Sequence, residues 1–351
     1  MHGATQPVPV RFTGDAREYF GIWIVNVLLS IATLGIYSAW AKVRNKQYFL
    51  GNTSIGGRPF GYHATGRQIL VGRAIAGAGF AVMSIMPSID PAFAGGSAGV
   101  ALVCIPALIC QALVFNASVT SWSNIRFRFE GSMWRAVRVF GIYPFLAAFT
   151  LFLAFPFVAR ATKRYIIGGH SLGRHRLSFD GGIGPFYGAL LLSAAWAAAV
   201  LAISFSLYLA AWYAFGLARV DRIESAAQDV GAVIFGGVIL IAVLPLKTIY
   251  GAFVRNAVYA GTTLEGGHRF ASTISATRLV WMAIGNAVAI VVSCGMLLPW
   301  ARIRVARYLC ANTWVRPAGS LDQFVGAAES RRSALGDAYA DIGGADVGAA
   351  A

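Results

Sequence analysis

Two strings of this chain set aromatic rings beside cations at a spacing that suits phosphate. Trp40, Lys42, Arg44 and Tyr48 recur 260 positions later as Trp300, Arg302, Arg304 and Tyr308, within WAKVRNKQYFLGNT and WARIRVARYLCANT. Such a belt anchors a helix end at a membrane surface, with rings at headgroup level and cations reaching phosphates. The same groups can also cradle an anionic headgroup or solute, and both readings stay open. Asn26 and Asn286 lie fourteen residues before the two tryptophans, deep in uncharged runs. An amide in hydrocarbon needs a partner, so each is expected to bond across a helix pair. With Arg73, at the start of another uncharged run, they form a candidate intramembrane polar site.

Other chemistry is thinly supplied. His63, His170, His175 and His268 show no HExxH spacing and no neighbouring CxxC, so no metal site is expected. The Gly-rich strings GGRPFG and GGIGPFYG contain no GK[ST] or GxGxxG fingerprint, and GxSxG is absent. With 14 acidic residues in all, general acid–base machinery is scarce. No catalytic residue and no cofactor are expected. Cys104, Cys110, Cys294 and Cys310 follow no ligand spacing and read as small hydrophobes.

Composition indicates what must position these groups. The chain is 57% hydrophobic and 12% charged over 351 residues, whereas soluble domains carry about 25% charged residues. Uncharged stretches run from Tyr19 to Ala41, Ala74 to Ile89, Pro91 to Ile125, Val139 to Ala159, Gly184 to Gly216, Val230 to Leu246 and Leu279 to Ala301. Most reach the roughly 20 residues that span hydrocarbon. The net charge of +15 sits at the ends of these runs, which fits anionic lipid rather than nucleic acid. The expected partner is therefore the bilayer with its anionic phospholipids; nucleic acid is not expected, and protein partners are left open. No cleaved leader is expected before the first apolar run.

Internal similarity organises the chain. A third, more diverged string, FVARATKRYIIGGH, runs from Phe157 to His170, and an Arg-Phe pair precedes each string: Arg11-Phe12, Arg126-Phe127 and Arg269-Phe270. Gly-rich β-formers follow the first two strings in chain order, as NTSIGGRPFGYHATG and HSLGRHRLSFDGG, and suggest short hairpins. The expected organisation is one membrane domain over 1–316. It holds three repeated units (about 10–66, 125–181 and 268–316), two helical hairpins (about 67–118 and 184–255) and a mobile tail over 317–351. The expected fold class is membrane all-α: a polytopic helical bundle with internal repeats and short cytoplasmic β-strand or hairpin segments.

Charge bears on topology. Lys42 to Arg73 holds six Lys and Arg and no acid, Arg160 to Arg176 holds five, and Pro87 to Ser97 holds none. If all seven runs crossed, 160–176 and 247–278 would lie outside and the nearly neutral 217–230 inside, against the inside bias of basic loops. The conflict disappears if the apolar part of each repeated unit enters and leaves on one face. Thr33-Leu34-Gly35, Pro144, Pro156, Gly295 and Pro299 are the residues that could break such helices. The charge bias places the basic segments on the cytoplasmic side.

The strings TLGIYSAWAKVR (Thr33 to Arg44), RFRFEGS (Arg126 to Ser132) and LSFDG (Leu177 to Gly181) resemble the YjgN-like family of bacterial inner-membrane proteins, over most of residues 10 to 316. That resemblance implies a multi-pass inner-membrane protein and carries over no activity, substrate or functional residue. The leading expectation is a transporter or lipid-handling protein for an anionic solute or headgroup. The alternative is a non-transporting scaffold or envelope-associated interaction protein.

Overall fold

The computed structural model describes residues 6–90, 93–151, 153–216, 245–320 and 325–326. Ten short strands form the centre: β1 Val8–Phe12, β2 Thr53–Ile55, β3 Arg58–Tyr62, β4 Thr120–Trp122, β5 Ile125–Phe129, β6 His170–Leu172, β7 His175–Phe179, β8 Thr262–Leu264, β9 His268–Ser272 and β10 Thr313–Arg316. They close an antiparallel barrel in the ring order β1-β10-β9-β8-β7-β6-β5-β4-β3-β2. The ends of the chain complete the ring, with Val8 opposite Val315 and Pro9 opposite Trp314.

The two rims differ. At one, tight turns join β2 to β3, β4 to β5, β6 to β7 and β8 to β9. Gly56-Gly57 and Ser123-Asn124 both take positive φ at both central residues, which suits the right-handed twist of the flanking strands. At the other rim, Phe12 faces Thr53, Tyr62 faces Thr120, Phe129 faces His170, Phe179 faces Thr262 and Ser272 faces Thr313. A helical excursion joins each of these pairs. The first is α1 Ala16–Ala32 with α2 Ser38–Gly51, and the second is α3 Gly66–Ile89 with α4 Phe93–Ser118. The third is α5 Met133–Ala136, a π-helical stretch Val137–Ile142, α6 Tyr143–Phe149 and α7 Phe155–Gly169. The fourth is α8 Gly184–Gly216 with the described helical residues 245–260, here α9. The fifth is α10 Ala276–Val292 with α11 Leu298–Ala311.

The return of each excursion to the barrel uses one device. The first residue of the receiving strand bonds the carbonyl four residues back, capping the helix it leaves. Thr53 Oγ1 donates to Phe49 O, Thr120 to Asn116, Thr262 to Val258 and Thr313 to Leu309, at 2.6–2.7 Å. His170 Nδ1 meets Ile166 O at 2.6 Å. Departure has its own device at three strands. The rings of Phe12, Phe129 and Phe179 fold over Gly14, Gly131 and Gly181, where an added Cβ would lie 2.4–2.5 Å from ring carbon.

The barrel interior is apolar. Trp122, Leu172 and Leu264 are buried there, packed with Ile55, Phe60, Ile125, Phe127, Leu177 and Phe270. Val325, from beyond β10, is fully buried among them. The expected segment 317–351 otherwise lies largely outside the described residues, as does 217–230.

The all-α polytopic bundle expected from the sequence is therefore corrected: the strands do not decorate a bundle but close the barrel that forms the core. Among the described residues, three helices are long and apolar enough to cross a membrane: Gly66–Met86, Gly99–Ser118 and Gly184–Leu207. Only 6%, 17% and 6% of these spans is buried, so they do not pack into a common helical core. Strands of three to five residues are too short for their alternation to register, and outside the four hairpins their partners lie tens to hundreds of positions away.

Candidate functional site

Trp40, Lys42, Trp300 and Arg302 lie in the first two turns of α2 and α11, near the loops that reverse direction, while Tyr48 and Tyr308 sit at the feet of the first and fifth excursions. Tyr48 is a latch there: its hydroxyl donates to Asp15 O at 2.8 Å and accepts from Asp15 N at 2.8 Å. Tyr308 holds Ser275 in the same way, accepting from Ser275 N at 3.0 Å, and Tyr165 donates to Ser132 O at 3.2 Å. Asp15, Ser132 and Ser275 are the N-caps of the first helices of their excursions. The recurrent tyrosine thus ties the end of each second helix to the start of the first.

The two tryptophans differ. Trp40 is half-buried against Ala39, Val43, Tyr62, Ala64, Ile69 and Val119. It lies on Gly66, the first residue of α3, where a Cβ would stand 2.4 Å from the indole. The first residue of α1 is Ala16, whose Cβ occupies that space. Trp300, beside Ala16, is 38% exposed, and an open groove of about 460 Å³ remains. Asp15, Ala16, Trp300, Ile303, Arg304, Arg307 and Tyr308 line it, with Ala311.

Cations frame this seam between α11 and α1. The Arg304 guanidinium lies 5.2 Å from the Trp300 ring centre and donates to Asn286 Oδ1 at 3.2 Å. Arg307 donates to Gly14 O at 3.1 Å and Arg302 to Tyr19 hydroxyl at 3.0 Å. Asp15 is the acid beside them. Its carboxylate accepts from the N–H groups of Arg17 and Glu18, and these bonds, with a smaller contribution from the Arg307 charge, hold its pKa below the ordinary value. The carboxylate is committed to the start of α1.

A second groove, of about 350 Å³, lies on the α1–α2 pair with Arg302 of α11 at its edge, lined by Trp23, Asn26, Val27, Ser30, Ile31, Ala41, Asn45 and Arg302. Asn26 Nδ2 and the Tyr19 hydroxyl both reach Asn45 Oδ1 at 3.4 Å. Asn26 Oδ1 is buried with no hydrogen-bond partner.

A bacterial family described as being of unknown function (DUF898) matches residues 7–342. The chain belongs to that family. It is 25% identical over 358 residues to the inner membrane protein YjgN of Salmonella typhimurium strain LT2, covering 89% of this chain and 88% of that one. Inner membrane proteins YjgN of Escherichia coli O157:H7 and of strain K12 are 32% and 33% identical over 123 residues, 35% of this chain and 31% of each relative. No solved structure matches.

Within this DUF898 chain the candidate residues divide. Trp300, Arg304 and Tyr308 share the lower groove, and Asn26 and Arg302 share the upper one. Lys42 and Arg44 are exposed on α2 and line neither groove. Arg73 donates to Ser38 Oγ at 2.7 Å, tying α3 to the start of α2, and does not join Asn26. Asn26 and Asn286 each bond within their own helix pair, so no polar site unites them. Asp15, Tyr19 and Asn45 went unrecognised in the sequence. Tyr19 and Asn45 sit on the faces that α1 and α2 turn to each other; a helical count from Asn26 reaches Tyr19, seven residues earlier, but not Asn45 on the next helix. Arg302 meeting Tyr19 depends on barrel closure and left no local signal.

Proposed function

We propose that this chain is a lipid-handling protein of the bacterial inner membrane, which holds an anionic phospholipid headgroup in the seam between α11 and α1. The observation that carries the reading is the placement of Arg302, Arg304 and Arg307 around two grooves that open beside exposed apolar helix faces. A phosphate suits that cluster, while acyl chains run along the adjoining aliphatic surface. The relatives named as inner membrane proteins and the three span-length helices support the location. The basic feet of the helices favour a barrel on the cytoplasmic side.

The units at 10–66, 125–181 and 268–316 carry the short helix pairs, and the segments between them carry the long apolar helices. We read the former as repeats of one headgroup-level module.

The test is a proteoliposome assay of fluorescent-phospholipid scrambling, run beside flux of small anions and native mass spectrometry for retained lipid. Retained anionic phospholipid, lost on substituting the three arginines, is the expected result. Anion flux with no retained lipid would favour a solute transporter. Neither lipid nor flux, with a stoichiometric protein partner on crosslinking, would favour the scaffold. The scaffold has one observation of its own: Arg11, Arg126, Arg128, Arg176, Arg269 and Arg316 are exposed along the strands, a basic wall suited to an acidic partner.

A further inference from the structure

Three of the five excursions reverse direction through the same turn, and that turn is built for an oily medium. In the first, Thr33 Oγ1 donates to Leu29 O at 2.7 Å and accepts from Tyr37 N at 2.9 Å. In the third, Thr150 Oγ1 donates to Ala147 O at 2.8 Å and accepts from Ala154 N at 3.1 Å. In the fifth, Ser293 Oγ donates to Ile290 O at 3.2 Å and accepts from Leu297 N at 3.0 Å. The next residue takes positive φ each time: Leu34 at 48°, Leu151 at 50° and Cys294 at 50°. The N–H groups between are bonded internally as well, Leu34 to Ile31, Gly35 to Ser30 and Ile36 to Thr33, then Cys294 to Val291, Gly295 to Ile290 and Met296 to Ser293.

The side chains reverse the usual arrangement. Turns in water carry Gly, Asn, Asp and Ser and leave backbone groups to solvent. Here Leu34 is 95% exposed and Leu151 85%, while the N–H groups of the first and fifth excursions' turns are bonded within the turns themselves. That combination is what hydrocarbon demands of a non-helical segment.

Length gives the depth. The outgoing helices have 17 residues (α1 and α10) or 4, 6 and 7 in sequence (α5, the π stretch and α6), 17 together. The returning helices have 14 or 15. At about 1.5 Å per residue these reach roughly 21–26 Å, short of the approximately 30 Å hydrocarbon core. In contrast, α3 and α4 have 24 and 26 residues, roughly 36–39 Å, with exposed Asp90 between them.

We infer that the Thr33–Tyr37, Thr150–Ala154 and Ser293–Leu297 turns lie inside the acyl-chain region of the bilayer, so that these three excursions dip in and return to the barrel face, while α3 and α4 cross. The inference rests on the membrane location proposed above but not on any lipid being retained in the seam.

Cys294 supplies a native probe. The full-length protein in proteoliposomes is treated with a membrane-impermeant maleimide, from outside alone or on both faces after transient opening, and labelling of each cysteine is read by mass spectrometry. Leu34→Cys, Leu151→Cys and Asp90→Cys variants extend the reading. The expected result is loss of nearly all labelling at Cys294, L34C and L151C on both faces, restored in detergent, with D90C labelled from the face opposite the barrel. Labelling of the turns from the same face as D90C would show that they cross. Labelling from the barrel face would show that they lie outside the membrane. Either overturns the inference. Because wild-type Cys294 is read directly, a misfolded variant does not leave it undecided. Shielded turns with no lipid retained in the seam would sink the lipid-handling reading alone.

Discussion

The joint between α2 and α3 and the joint between α11 and α1 are built from the same parts and end differently. At the first, Trp40 lies on Gly66 and the joint is filled. At the second, Ala16 stands where the glycine would be, Trp300 stays out and a groove remains. The second joint is also where the ends of the barrel meet. One methyl group separates a filled joint from an open groove, and the residue that decides it lies on the neighbouring excursion. The tyrosine latches are common to both joints and do not distinguish them.

Four changes break or sharpen that contrast. The largest effect is expected from Trp122→Ala, which removes a buried ring from the barrel that holds both joints. A loss of about 3–5 kcal/mol follows from core truncation, read as a fall in thermal midpoint in detergent with both joints loosened together. Next is Gly66→Ala, whose Cβ meets the Trp40 ring at 2.4 Å. Forcing the indole out costs about 1–3 kcal/mol, and Trp40 should become more reactive in oxidative footprinting read by mass spectrometry, approaching the reactivity of Trp300.

Third is pH. His268 is buried, and burial followed by the nearby His175 charge lowers its pKa below the ordinary 6.5. Its Nδ1 accepts from Ala318 N at 3.2 Å, which a protonated ring cannot do. A depressed histidine favours its neutral form in the folded state. The stability it contributes is therefore present above the unfolded value and lost as pH falls below it. The protection factor of the Ala318 amide against exchange should fall between pH 7.5 and 5.5, and His268→Gln should flatten that fall. The smallest effect on stability is expected from Ala16→Gly. It gives Trp300 the seat that Trp40 has, and should reduce lipid retention while moving the thermal midpoint little.

What the sequence conveyed was local. The Gly-rich strings mark real hairpins, and the breaks at Thr33-Leu34-Gly35 and Gly295 fall on real turns. The Arg-Phe pairs were less even. Arg128-Phe129 ends β5 as Arg11-Phe12 ends β1, whereas Phe127 and Phe270 point into the barrel. Barrel closure was illegible because Val8 and Val315 are 307 positions apart and neither strand is long enough to show a period. The site was half legible. Matching belts at 40–48 and 300–308 suggested one shared role, yet the neighbouring helix start decides which belt faces an opening, and no repeat of the belt itself can report that.

The most direct test sets the two belts against each other. Anionic phospholipid retained by the full-length protein in nanodiscs is measured for Arg302→Ala/Arg304→Ala/Arg307→Ala and for Lys42→Ala/Arg44→Ala, with thermal midpoints taken alongside. The account predicts at least about a tenfold loss of affinity, some 1.4 kcal/mol, for the α11 variant and little change for the α2 variant. Equal losses from both, or none from the α11 variant while it stays folded, would contradict it.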